Sequence, residues 1–225
     1  SHYDLALNGR PFRVVVVGQE YGNGPAHVNR QERSHDVVVL TGQKKRFRTD
    51  GLHAARNPHM RGTTSLLRLL FGQRLGSDYD GEILDLNGKR VHLFEAFALV
   101  NFLLCSAIDS GQGDVGSKRG KSSTTMQANC GRHFSEVIRI LEPTVVVAEG
   151  VGVRKWMGAL CTTRPSSQSH LEHASIRGHE FLLASFSHPS VPSGENWGTD
   201  ERRPYLLDVV APTVRAVHAA VLSAS

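Results

Sequence analysis

Four consecutive valines at positions 14–17 leave no polar face on which water could rest. A strand sends alternate side chains to opposite faces, so an unbroken apolar run belongs in a sheet covered on both sides. Residues 12–17, 98–102, 144–148 and 181–186 all read this way. Apolar spacing of three and four predicts helices over about 63–71, 125–141, 151–160 and 203–222, which fill the intervals. Strands alternating with helices predict an α/β fold, a three-layer αβα sandwich around a central, mainly parallel four-stranded sheet. Asn8-Gly9, Asn87-Gly88 and Arg177-Gly178 are turn signals suited to positive φ angles. The 225 residues fit one domain without repeat or linker, with long loops at about 22–61 and 109–124.

Charge narrows the partners only a little. Twenty-six Lys and Arg against 21 Asp and Glu give +5 and leave room for an anionic partner. No apolar run approaches the roughly 20 residues of a membrane span, and the N-terminus lacks a secretory layout. Three widely spaced cysteines, Cys105, Cys130 and Cys161, make no disulfide framework. The expectation is a soluble, cytoplasmic monomer with no membrane association.

Chemistry is offered where the apolar strands end. Gly18-Gln19-Glu20-Tyr21-Gly22 follows the valine run, Asn101 follows Leu99-Val100, and His188-Pro189-Ser190 follows the last strand. An open α/β sheet delivers its ligand-binding groups at this carboxyl edge. A carboxylate, an amide and an imidazole there suit hydrolysis of a bond to a flat, hydrogen-bonding ring.

These three strand ends, in this order, resemble the uracil-DNA glycosylase superfamily, closest to its iron-sulfur branch. Residues 18–22 resemble the first motif, Val100-Asn101-Phe102 the strand whose Asn reads the base, and His188-Pro189-Ser190 the start of the second motif. Residues 142–150, a Pro-led apolar strand running into Gly, resemble a further signature of the family. The resemblance thus covers about residues 14–193. It implies catalytic roles for Glu20, Gln19 and His188, and base contacts for Asn101, Tyr21, Gly22 and His59. Such an enzyme rotates a nucleotide out of the stack before cutting. Asn101 matches the N3–H and O4 of uracil, His188 donates to the ring O2 as negative charge grows there, and Glu20 steadies the sugar cation and orients water.

Lys44, Lys45, Arg46 and Arg48 surround Phe47, a pattern suited to phosphate contact plus stacking. Lys118, Arg119 and Lys121 form a second basic cluster, and Ser190 and Val191 complete the expected DNA contacts. Val191 and Trp197 are the candidates for an apolar wedge that fills the place of the flipped base.

The chain also departs from the family. Gly22 stands where a Tyr closes the C5 side of the ring, which opens the pocket to a C5 substituent. Cys105 and Cys130 fall near two of four cluster positions, but no cysteine pair precedes the first motif. No metal is therefore expected, and a 4Fe-4S cluster would need further cysteines upstream of the chain. The loop at 116–121 holds no His, so turnover rather than covalent capture is expected.

The expected function is a monofunctional DNA glycosylase that hydrolyses the N-glycosidic bond of a flipped pyrimidine, uracil by default. The alternatives are a glycosylase of hypermodified viral pyrimidines in antiviral defence, and a non-catalytic binder of modified or damaged DNA. A small-molecule nucleoside hydrolase is a third, for which the basic loops have no use.

Overall fold

A computed structural model describes residues 3–20, 49–86, 88–104 and 122–223. Strands β3 (Val14–Glu20), β6 (Phe97–Leu103), β7 (Val145–Glu149) and β10 (His179–Phe186) lie side by side in the order β6-β3-β7-β10, all parallel. These are the four expected strands. The sheet nevertheless has six, because β9 (Leu171–Ile176) pairs antiparallel with β10, and β8 (Thr162–Pro165) antiparallel with β9. The β9–β10 turn is the Arg177-Gly178 dipeptide, with φ of +51° and +83°, as a two-residue hairpin loop requires. Two small hairpins stand apart from the main sheet, β1 (Ala6–Leu7) with β2 (Arg10–Pro11) and β4 (Ile83–Leu86) with β5 (Lys89–His92).

Helices cover both faces, as the valine run demands. Val14, Val16, Val145, Val147, Ala184 and Phe186 pack on one side with α1 (Pro58–Leu70) and α4 (Ala211–Ser223). Val15, Val17, Val146, Ala148 and Leu183 pack on the other with α2 (Thr124–Leu141) and α3 (Val151–Gly158). All four valines of β3 are fully buried, each worth about 1.5–3 kcal/mol relative to exposure. The segment Leu206–Ser223 is long and apolar enough to cross a membrane by length and composition, but five of its side chains, Leu206 to Val217, belong to the core.

Helix α1 starts five residues before the expected position. Asn57 caps it, its side-chain oxygen accepting from Met60 N–H at 2.9 Å, and Pro58 occupies the first turn, where its missing N–H costs nothing. His59 therefore sits on a helix rather than in a loop. A buried clamp holds this start in place. Arg56 donates to both Glu82 oxygens at 2.7 and 2.6 Å and to Thr64 Oγ1 at 3.1 Å. His92 Nδ1 accepts from Phe94 N–H, which leaves Nε2–H to donate to Glu82 at 3.1 Å.

Candidate functional site

Strand order places the crevice. The connection after β3 leads to β6 on one side, whereas β7 lies on the other, so the order reverses between β3 and β7. Open α/β sheets bind ligands outside the carboxyl ends of strands at such a switch point.

One row of residues crosses the sheet there. Asn101 of β6 pairs with Gly18 of β3, Val17 pairs with Ala148, and Glu149 pairs with Phe186. Asn101, Gly18, Glu149 and Phe186 are thus neighbours on four adjacent strands. At about 4.8 Å per strand, Asn101 and Glu149 stand about 10 Å apart across Gly18. Alternation puts Gly18 on the same face as Val14 and Val16, towards α1, and Glu149 on the same face as Val145 and Val147.

Gly18 is glycine for a local reason. A Cβ there would lie 2.8 Å from Asn101 Oδ1, so the amide occupies space that any side chain would fill. No described residue hydrogen-bonds the half-buried Asn101 amide. An amide left unpaired at a strand end keeps its donor and acceptor for a ligand.

Glu149 is fully buried. Its carboxylate accepts from Thr63 Oγ1 at 2.9 Å and pairs with His59 Nε2 at 2.7 Å. Thr63 and His59 lie one turn apart on α1, so one carboxylate fixes two residues of that face. The His59 ring then lies against His188, with centroids 4.8 Å apart and planes at 35°. Glu149 has no exposed surface, and its contact with His59 links it to the half-buried ring. Sequence reasoning placed Glu149 only within an apolar signature; an ionisable residue closing a buried strand was the signal that pointed to it.

His188 is held by its own loop. Its Nδ1 accepts from Ser190 N–H at 3.3 Å and meets Ser190 Oγ at 2.9 Å. An accepting Nδ1 carries no proton, so Nε2 carries one and is a donor. The preceding Ser187 is pinned three ways, its N–H to Tyr205 Oη, its hydroxyl to Glu195 O and its carbonyl by Trp197 Nε1–H at 2.8 Å. Pro189 O accepts from the N–H groups of Trp197 and Gly198 and closes the loop.

The other expected site residues divide as follows. Ser190 supports His188, and the next residue, Val191, is half-buried. Trp197 is 1% exposed and packs edge-on against Phe186 at 6.0 Å, which corrects its candidacy as a wedge: it is a pillar of the core. Gln19 is exposed, and its Oε1 lies near Gly152 of α3, on the face opposite Asn101. Glu20 closes β3 opposite Leu103. Tyr21, Gly22, Lys44, Lys45, Arg46, Arg48, Lys118, Arg119, Lys121 and Cys105 lie outside the described residues.

Cys130 is buried in the layer between the sheet and α2, and Cys161 packs against that same layer. Burial pushes the Cys161 thiol up to about 11. Among the described residues no group of three His, Cys, Asp or Glu is placed to hold a metal ion.

The fold and the row define an α/β sandwich with polar side chains at its switch point. A scan against protein-family models matches no family, and no curated protein is significantly similar to the chain.

Proposed function

We propose that the protein is a monofunctional DNA glycosylase that flips a pyrimidine into the switch-point crevice and hydrolyses its bond to deoxyribose. The observation that carries this reading is an Asn101 amide without a hydrogen-bond partner among the described residues and a His188 ring oriented through Nδ1 by Ser190, both at the carboxyl end of the sheet's parallel strands.

Each residue has one task. Asn101 donates to O4 and accepts from N3–H of uracil, and Gly18 leaves room for that amide. His188 donates to O2. As the C1′–N1 bond breaks, its electron pair moves onto the ring and O2 gains charge, which a fixed donor in a water-poor site stabilises by about 2.7–4 kcal/mol. The deoxyribose becomes oxocarbenium-like, and Glu20 steadies it and orients the water whose oxygen bonds to C1′. One proton of that water is released to solvent. His59 forms a wall beside the ring, oriented by Glu149 and Thr63. The clamp of Arg56, Glu82 and His92 sets the helix that carries His59.

The substrate is uracil or, given Gly22, a pyrimidine enlarged at C5. Excision assays on oligonucleotides carrying uracil, thymine and C5-modified pyrimidines test this directly, and release of the free base identifies the substrate. Glu20→Gln separates a hydrolase from a binder: the hydrolase loses several orders of magnitude in rate and keeps its DNA affinity, whereas a binder is indifferent. Absence of base release from every substrate overturns the reading.

A further inference from the structure

A second cavity, of about 320 Å³, opens beside the first turns of α1 and is lined by His53, Arg61, Ser65, Trp197 and residues 198–202. Two of its nitrogens are buried without a partner. His53 is 8% exposed, yet its Nε2 has no hydrogen-bond partner, and neither has Arg61 Nε. No described residue makes a hydrogen bond or ion pair with the Arg61 side chain. A buried donor left unsatisfied costs about 1–3 kcal/mol, and more when it belongs to a charged group.

The local field favours an anion. Helix α1 has no acidic residue in its first turn, so the positive end of its dipole is reinforced by Arg61 rather than offset. Two carboxylates face the same space. Asp200 is already matched by Arg202, which donates to Oδ1 from Nε at 3.1 Å and to Oδ2 from its terminal nitrogen at 2.9 Å. Glu201 alone opposes Arg61. The cavity adjoins the crevice, because Trp197 forms its wall and also anchors Ser187 ahead of His188. Arg61 follows His59 by two residues, a rise of about 3 Å along the axis of α1, and the loop that carries His188 packs against α1 beside them, where a Cβ on Gly62 would meet Pro189 and Trp197.

We propose that this cavity seats a backbone phosphate of the nucleic acid, with Arg61 supplying the charge and His53 Nε2–H a second hydrogen bond. The inference rests on the glycosylase reading and adds to it the position of a strand contact. Arg61 presents its planar donors to the two non-bridging phosphate oxygens, and His53 donates to the free lone pair of one of them. Glu201 limits the affinity.

The test is binding of a short duplex without any modified base, measured by fluorescence anisotropy from 50 to 200 mM salt, with thermal melts of every variant as the control for folding. A phosphate contact contributes about 0.9 to the slope of log affinity against log salt. Arg61→Gln is expected to flatten the slope by that amount, so that the fourfold rise in salt costs it about 3.5-fold less affinity than the wild type loses. Glu201→Gln is expected to tighten binding, and inorganic phosphate to compete with the duplex more weakly against Arg61→Gln. An unchanged slope in folded Arg61→Gln overturns the seat, and if base release persists the glycosylase reading stands. An Arg61-dependent slope without base release keeps the seat and overturns the glycosylase. A wild type that fails to bind duplex overturns the seat.

Discussion

Replacing Gly18 with alanine inserts one methyl group between two strands whose register is fixed. The new Cβ would lie 2.8 Å from Asn101 Oδ1, about 0.6 Å inside the 3.4 Å at which ordinary contact begins. Neither strand can give, because Val14 to Val17 are fully buried between two helical layers. The amide must therefore swing away. Displacement of a positioning group by around an ångström costs up to about 100-fold in rate, so Gly18→Ala is expected to lower kcat/KM for base excision about 10- to 100-fold. Gly18 has no positive φ, so the fold tolerates alanine and the melting temperature changes little. Single-turnover excision supplies the measurement. Asn101→Ala provides the control: if the methyl acts through the amide, Gly18→Ala adds almost nothing in that background, the non-additivity expected of residues in contact. Equal penalties with and without Asn101, or excision within twofold of wild type, would refute the reasoning.

Three other perturbations separate site from scaffold. Glu149→Gln keeps the shape but removes the charge that holds His59, and a hydrogen bond to a charged group is worth about 1.5–3 kcal/mol; the expected outcome is a fall of about 10- to 100-fold in kcat with DNA affinity retained, read by single-turnover kinetics. Glu82→Ala leaves Arg56 buried and unpaired, which is expected to cost about 3–5 kcal/mol in urea unfolding. Acid weakens the fold through His53. Burial, then the neighbouring Arg56, holds the His53 pKa below its usual 6.5, so its contribution is complete above that pH and is lost as pH falls towards the folded value. Melting temperatures from about pH 7.5 down to about pH 5.5 are expected to fall less steeply in His53→Gln than in wild type.

The central strands were legible because β-branched runs admit no other placement, and Gly18 and Asn101 could be read at their ends. β8 and β9 were not. Leu171–Ile176 alternates with Glu172, His173 and Ser175, and Thr162–Pro165 is exposed and ends in proline, so neither carries the doubly buried pattern. Partial burial was enough for β9 to join β10, with β8 beyond it as the edge strand, and the Arg177-Gly178 turn alone announced them. The start of α1 was hidden because Gly62, a weak helix former like Thr63 and Thr64 after it, separates the first turn from the apolar spacing that begins at about residue 63. They are tolerated for what they touch: a Cβ on Gly62 would lie 2.6 Å from Pro189, Thr63 serves Glu149, and Thr64 serves Arg56. Glu149 was read as part of a strand signature, since its two partners are 86 and 90 residues away in sequence. The tautomer of His188 followed only from the loop that returns Ser190 N–H to its ring.

The most direct measurement is release of free base from a uracil-containing oligonucleotide, or one with a C5-modified pyrimidine, by wild type and by His188→Ala under single-turnover conditions. The account predicts release by wild type and a loss of about 100- to 1,000-fold in His188→Ala, with duplex binding retained. Base release at the same rate by both proteins, or by neither from any pyrimidine, contradicts it.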